Sequence, residues 1–404
     1  MISSNHQKKP VLQFPANALA RPLEDFLIKV RQSPGQAMKV PIHLRWGGGL
    51  GGAVQAVLVL ATWSYLKGAE RELRLTGAFA TQANTRERFA STLPGMAALY
   101  FSERIDCDGK PFSRYRALEV VAPRIAAMQA GAYRDTLRGQ GAALCCFMGA
   151  KNEFLSALYS RPIPGEVRDA TDFRVLLPRI LKNLSVRDDA LNEGQLDYLS
   201  RLVHQLFLNA DEHGSFDESG ARLEAGIRGI AVRVTAVPDV KSLVEYAGDD
   251  TALKTYLIKC SLLEKGEKPD IEGRDKLPGG SMQLLEVSVF DTGPGLGLRW
   301  LSEKEGRQSY TEISREEELA AVQTCFGKHA TTKASQFKGQ GLSMALMSLK
   351  RLGAFMTLRT GRLSLYQDFS RSDTTEFMPR NRFPNLKHPP EIAGTSYSIC
   401  FRLK

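Results

Sequence analysis

Leu284-Leu285-Glu286-Val287-Ser288-Val289-Phe290-Asp291-Thr292-Gly293-Pro294-Gly295 is the stretch on which the reading of this chain turns. Its first seven residues predict a strand. An Asp at the end of a strand can accept a hydrogen bond from a nucleobase amino group. The two glycines that follow let the backbone turn tightly and approach a ligand. D-x-G-x-G is common loop chemistry by itself. Its weight comes from two flanking motifs in a fixed order.

Upstream lies a helical pattern, Leu196 to His213. Val203, Leu206, Phe207 and Ala210 form its apolar face. Gln205, Asn209, Glu212 and His213 fall at i, i+4, i+7 and i+8 and share another face. Asn is a poor mid-helix residue, yet its amide oxygen is a suitable hard ligand for Mg²⁺. Downstream, Phe337-Lys338-Gly339-Gln340-Gly341-Leu342-Ser343-Met344 runs from glycines straight into a helix, which turns backbone N–H groups toward an anion. Just before it, Thr331, Thr332 and Lys333 supply two hydroxyls and a cation suited to a terminal phosphate.

The ordered set resembles the GHKL superfamily of ATP-binding proteins, which includes gyrase, Hsp90, histidine kinases and MutL. The resemblance covers residues 195–404. It implies that Asn209 is the N-box residue that coordinates Mg²⁺ and that Asp291 recognises the adenine amino group. It further implies that Gly293 and Gly295 are the glycines of the D-x-G-x-G box, and that residues 298–338 are the lid. Thr331, Thr332 and Lys333 would reach the γ-phosphate, and Gly339 and Gly341 would form the last glycine box. Gly394-Thr395-Ser396-Tyr397-Ser398-Ile399-Cys400-Phe401 resembles the closing strand. The implied fold class is α+β: a Bergerat-type α/β sandwich, with a mixed sheet and helices on one face. The implied cofactors are ATP and Mg²⁺.

One position departs from the family. Members that hydrolyse ATP carry a glutamate four residues before the N-box asparagine, and here that residue is Gln205. An amide cannot take a proton from water, though it can orient one. Glu212, on the same face one turn beyond Asn209, is the candidate to stand in as base, and His213 or His204 is a candidate phosphate contact, so the candidates for catalytic roles are Gln205, Glu212 and Lys333, with His213 among the cofactor-binding residues. None of the histidines before the N box has the setting of a phosphoacceptor, which argues against a histidine autokinase.

The first half reads as a separate α/β interaction domain over 21–190, after a loose arm at 1–20. Val40 to Trp46, the glycine cluster 47–52, Ala53 to Lys67 and Glu72 to Gly77 predict a strand, turn, helix and strand. This unit resembles the STAS domains that partner anti-sigma kinases, but it lacks their Asp-Ser before the helix. The glycine cluster lacks the G-K-[S/T] ending of a phosphate loop.

The chain has 404 residues and a net charge of +10. Residues 1–195 hold 26 basic and 17 acidic side chains, against 28 and 27 in the remainder. The resemblance leaves three readings open: an ATP-dependent switch acting on a protein partner, a nucleic-acid-linked ATPase with the basic first half as its contact surface, and a serine/threonine kinase of the anti-sigma type. A homodimer fits the first. The six cysteines show no metal-ligand spacing and read as buried thiols. The apolar run Ala53 to Leu66 is too short to cross a bilayer and the first residues lack a signal peptide's apolar core, so a cytoplasmic protein without a membrane role is expected.

Overall fold

The strand that ends at Asp291 lies inside the larger of two β-sheets. The computed structural model describes residues 10–17, 19–44, 49–66, 68, 71–151, 153–160, 165–262, 275–277, 279–327, 341–370, 375–386 and 388–404. The first half contains β1 (Val11–Gln13), α1 (Ala20–Gln32), β2 (Ala37–Lys39), α2 (Gly52–Tyr65), β3 (Glu72–Leu75), α3 (Gly77–Thr81), α4 (Ala83–Ala90), α5 (Leu93–Phe101), β4 (Arg104–Cys107) and β5 (Lys110–Phe112). It continues through α6 (Arg114–Glu119), α7 (Ala122–Ala130), a 3₁₀ turn (Tyr133–Leu137), β6 (Ala142–Phe147) and α8 (Ala170–Asn183). The second half has α9 (Glu193–Gly214), β7 (Ile227–Val237), α10 (Val240–Ala247), α11 (Thr251–Ser261), β8 (Met282–Asp291), α12 (Leu296–Glu305) and α13 (Arg315–Cys325). It closes with α14 (Gly341–Leu352), β9 (Phe355–Gly361), β10 (Leu363–Asp368), β11 (Arg380–Asn381) and β12 (Ile392–Leu403).

The smaller sheet runs β1-β2-β3-β4-β5, parallel as far as β4, with β5 antiparallel to it. The larger runs β11-β10-β9-β12-β8-β7-β6 and is antiparallel at every pairing. The α+β class is as expected. The mixed sheet expected for the second half is not: the mixed sheet is the N-terminal one. Two helices, α10 and α11, separate β7 from β8, and the chain re-enters the sheet at the end it left, as antiparallel neighbours require.

The expected helices on one face also need correction, because both faces of the large sheet are covered. Leu285, Val287 and Val289 of β8 join the main core with Leu202, Leu206 and Phe207 of α9. The alternate residues of β8 and β12 face the other way. There Leu284 and Cys400 pack with Leu243, Tyr246 and Leu257 of α10 and α11. On that second face α2 is buried from Gly52 to Ser64. A helix apolar all round has to be enclosed, and the large sheet supplies its second wall. Gly51 N–H donates to Glu286 Oε1 over 3.1 Å, and a Cβ on Gly51 would collide with Ser398.

Two carboxylates trapped in this layer are paired. Glu24 of α1 is 0% exposed; its carboxylate accepts from Arg359 Nε at 2.7 Å and Nη2 at 3.0 Å, and from Gln55 Nε2 at 2.7 Å. Glu286 accepts from Arg233 Nη2 and from Tyr246 Oη, each at 2.9 Å.

Several expectations for the first half are revised. Strand β2 covers Ala37–Lys39, and residues 40–44 of the expected strand Val40 to Trp46 do not continue it, because Pro41 has no N–H to extend the ladder; 45 and 46 lie outside the described residues. Val11–Gln13, read as part of the arm, pairs in parallel with β2. Asn152 to Ser160 has helical spacing, yet residues 153–160 form turns and one bridge from Tyr159 to Val167. Strand β6, which includes Cys145 and Cys146, is the edge strand of the second sheet and pairs with β7. All six cysteines are free, and all but half-buried Cys260 are buried.

Removing the Glu24 carboxylate leaves Arg359 charged and enclosed. Glu24→Ala is expected to lower stability by about 3–5 kcal/mol in urea unfolding. Asp25→Ala, at an exposed pair with Arg21, is expected to change it by less than about 1 kcal/mol. Equal effects would refute the assigned role of that layer.

Candidate functional site

Helix α9 starts in a capping box, in which Asn192 and Gln195 exchange side-chain-to-backbone hydrogen bonds, and it runs to Gly214 under the end of β8. Its last residue decides how close the two elements come. A Cβ on Gly214 would collide with Asp291, and one on Gly293 would lie 2.8 Å from Gly214 Cα. The helix end and the Asp291 turn are therefore in backbone-level contact.

Asp291 is 4% exposed. Burial pushes its carboxyl up to about 7, and the backbone N–H groups of Gly293 and Thr395 pull the other way. The bond from Gly293 N to Asp291 Oδ1 is 3.0 Å. The rest of the turn is pinned as well. Tyr310 Oη donates to Pro294 O at 2.9 Å, and Leu296 N–H donates to Thr360 Oγ1 at 2.8 Å. Gly394 N–H donates to Gly293 O. Gly295 has φ +91°, and a Cβ there would meet Tyr310 Oη at 2.7 Å. The space freed by these two glycines is thus occupied by the protein itself.

Asn209 is half-buried, and its Nδ2 lies 3.4 Å from Tyr397 Oη. Tyr397 is opposite Val289 in the β8–β12 ladder, and Thr395 is opposite Asp291, so all four side chains are on the α9 face. Tyr397 is fully buried, and burial followed by the Asp291 charge raises its pKa well above the ordinary value. Asn209 and Asp291 are in this way brought to one face through Tyr397.

Gln205 Nε2 is 3.2 Å from His204 Nδ1, and a Cβ on Gly341 would lie 2.5 Å from Gln205 Oε1. The first residue of α14 therefore abuts the polar face of α9. Burial lowers the pKa of His204, which stacks edge-on against Phe173 with centroids 5.3 Å apart. His213 Nδ1 is 3.9 Å from Glu303 Oε1 of α12, and Glu303 is paired with Arg299. Glu212 is half-buried. Thr331, Thr332, Lys333 and Gly339 lie outside the described residues.

From 298 to 327, the segment read as a lid contains most of α12 and all of α13. Helix α13 is held down by Glu318, which is 0% exposed, accepts from Arg362 N at 2.8 Å and Nε at 2.9 Å, and sits beside Gly361.

On another side of α9, Asp211 Oδ1 accepts from Tyr159 Oη at 2.5 Å and from Arg228 Nε at 2.6 Å. Arg228 also lies 3.7 Å from Glu153. This cluster fixes the 153–160 segment and β7 to the helix. Sequence reading passed over it, and over Gly214 and Tyr397 as site residues. A glycine closing a long helix beside a D-x-G-x-G strand was the available signal for Gly214.

No protein-family model, no curated protein and no solved structure matches the chain. Among the described residues no helix is long and apolar enough to cross a membrane, and no group of His, Cys, Asp and Glu has the arrangement of a metal centre.

Two predictions follow from the buried carboxyl and the closing glycine. The folded chain holds the Asp291 proton to higher pH than the unfolded chain does, so this group's contribution to stability falls as pH rises from about 4 to about 7 and levels off above that. Asp291→Asn should therefore gain stability relative to wild type as pH rises, by on the order of 4 kcal/mol at pH 8, and show no such gain below pH 4. Thermal unfolding across that range checks this. Gly214→Ala should lower stability by about 1–3 kcal/mol through overpacking against Asp291; an unchanged midpoint would contradict the close approach.

Proposed function

We propose that the chain binds ATP with Mg²⁺ in the manner of the GHKL superfamily and works as a nucleotide-dependent switch with slow or no hydrolysis. The observation that carries this reading is a convergence on one face of one sheet. There the aspartate ending β8 abuts Gly214 of α9, the asparagine in α9 lies beside Tyr397, and the glycine opening α14 abuts Gln205 of the same helix. These are the N box, the D-x-G-x-G box and the last glycine box, in family order.

The residues present suit the ligand. Asp291 offers a carboxylate to the adenine amino group, and its seating against backbone N–H groups fixes the direction in which it accepts. Asn209 offers an amide oxygen to Mg²⁺, which takes oxygen donors and keeps waters and phosphates in its shell. The first turn of α14 would present backbone N–H groups and the positive end of the helix dipole to a phosphate. Bound Mg²⁺ would neutralise phosphate charge. Gln205 cannot remove a proton from water, which favours retention of ATP over turnover.

On this reading the large sheet with α9 and α14 is a Bergerat-type layer, and the parallel β2-α2-β3 unit keeps the strand-helix-strand order of the STAS resemblance. Two features depart from the family's pattern: the sheet is antiparallel throughout, and its second face is shared between α10 and α11 and the N-terminal helix α2. That second contact supports a switch in which the N-terminal half senses the nucleotide site on behalf of a protein partner.

Calorimetric titration of the full chain with MgATP tests the proposal. Wild type should bind ATP in preference to GTP, and Asp291→Ala should weaken binding by about 100-fold, as expected for a buried charge-assisted hydrogen bond. Asn209→Ala should remove the Mg²⁺ dependence, and Gln205→Glu should raise phosphate release above the wild-type rate. A wild type that binds no nucleotide, or binds GTP equally well, would contradict the reading.

A further inference from the structure

Helix α2 ends beside the Asp291 turn, and two of its residues touch the two segments that enclose that aspartate. Thr62 Oγ1 donates to Leu58 O at 2.8 Å and accepts the Ala393 N–H at 2.8 Å. The next residue, Gly394, donates to Gly293 O and packs so tightly on the Asp291 carbonyl that a Cβ would collide with it. Three positions along the same helix, Tyr65 Oη lies 2.8 Å from Ala225 O and 3.1 Å from Thr292 Oγ1.

Tyr65 has one hydroxyl proton, and the Ala225 carbonyl can only accept. The proton therefore goes to Ala225, and the Thr292 hydroxyl donates to Tyr65 Oη. Thr292 Oγ1 in turn accepts the Ile227 N–H at 2.8 Å. The result is an ordered chain from Ile227 N–H through Thr292 and Tyr65 to Ala225 O, with every proton used once. Thr292 is 0% exposed and Tyr65 is 37% exposed, so Thr292 is the buried end of this chain and Tyr65 its outer end. Apolar burial along Gly52 to Ser64 already holds α2 to the sheet. The two hydroxyls add direction to that adhesion, one on each side of Asp291.

We propose that Thr62 and Tyr65 are positioning residues of the nucleotide site, through which the N-terminal layer sets the Asp291–Gly295 turn and so tunes ligand affinity. The proposal rests on the nucleotide reading above, and it gives that reading a route by which a partner bound to the first half reaches ATP. The route is short: α2 joins the smaller sheet through β2 and β3 and reaches the box without an intermediate element.

The test uses the full chain and two readouts, one of them independent of nucleotide. Tyr65→Phe keeps the ring on Phe101, whose centroid is 5.9 Å away, and removes only the hydroxyl. Amide hydrogen exchange at Ile227 and over 292–296 should quicken about fivefold, and the Kd for MgATP should weaken about fivefold, the effect of one lost hydrogen bond. Thr62→Val should do the same at Ala393 and Gly394. Tyr256→Phe is the control. It removes a hydroxyl of the same kind, one that donates to Gly353 O at 2.9 Å in the α10–α11 cluster, away from the box. It should leave exchange over 292–296 and MgATP affinity at wild-type values. Unchanged turn exchange in Tyr65→Phe overturns the proposal, and so do equal effects in Tyr256→Phe, which would mean general loosening. Faster turn exchange in a protein whose wild type binds no ATP leaves the mechanical link standing and overturns the nucleotide reading alone.

Discussion

A carboxylate enclosed at the end of a central strand is unfavourable unless N–H groups meet it, and the architecture around Asp291 meets that demand in part, burial still holding the carboxyl up at about 7. Gly293 and Thr395 supply the donors. Gly214 lets α9 close over the carboxylate, and Gly394 lets the start of β12 approach its backbone. Tyr310, Thr360 and Gly394 pin the turn that follows. These groups come from the ends of β9, β12 and α9 and from the segment before α13. The turn is therefore assembled only when the large sheet and its helices are complete. A group held so far from its ordinary protonation range is a candidate for function as well as a structural burden.

The second constraint is α2. Its apolar surface runs all round, so it cannot cap one sheet and face water on its other side. Placing it between the parallel sheet and the outer face of the antiparallel one satisfies it. Glu24, Gln55 and Arg359 then close a polar cluster between the two halves. Breaking that layer would expose an arginine and a glutamate whose pairing is enclosed, which makes the halves interdependent in stability. The same helix reaches the Asp291 turn through Thr62 and Tyr65, so the stability contact and the positioning contact are parts of one element.

The elements that sequence made legible have strong periodicity or sharp punctuation. The run from Ile227 to Val237 is all apolar or β-branched but for Arg228, Gly229 and Arg233, and β7 matches it to the residue. The β9–β10 hairpin follows from Gly361, which has φ +47°. In the candidate site, Asn209, Asp291 and Gly341 were all legible as residues, because each breaks the local pattern of its element. What could not be read was which surfaces meet. Ala142–Phe147 is apolar at every position, and such a run fits a buried strand or a helix equally. Three-residue β1 is too short to show alternation. The Asp211–Tyr159–Arg228 cluster joins residues 17 and 52 positions apart from Asp211, and the Glu24–Arg359 pair spans 335. Only the tertiary fold brings such charges together.

The central claim is that the Asp291 carboxylate is the purine-recognising group of a Mg-ATP site. The most direct measurement is a pH titration of its side-chain carboxyl by carbon NMR, with and without saturating MgATP. The account predicts a midpoint near 7 in the free protein, in line with its burial. It also predicts a clear downward displacement with ATP, because the adenine amino group donates to the ionised form. A midpoint that ATP leaves in place, or that GTP displaces equally, would contradict it.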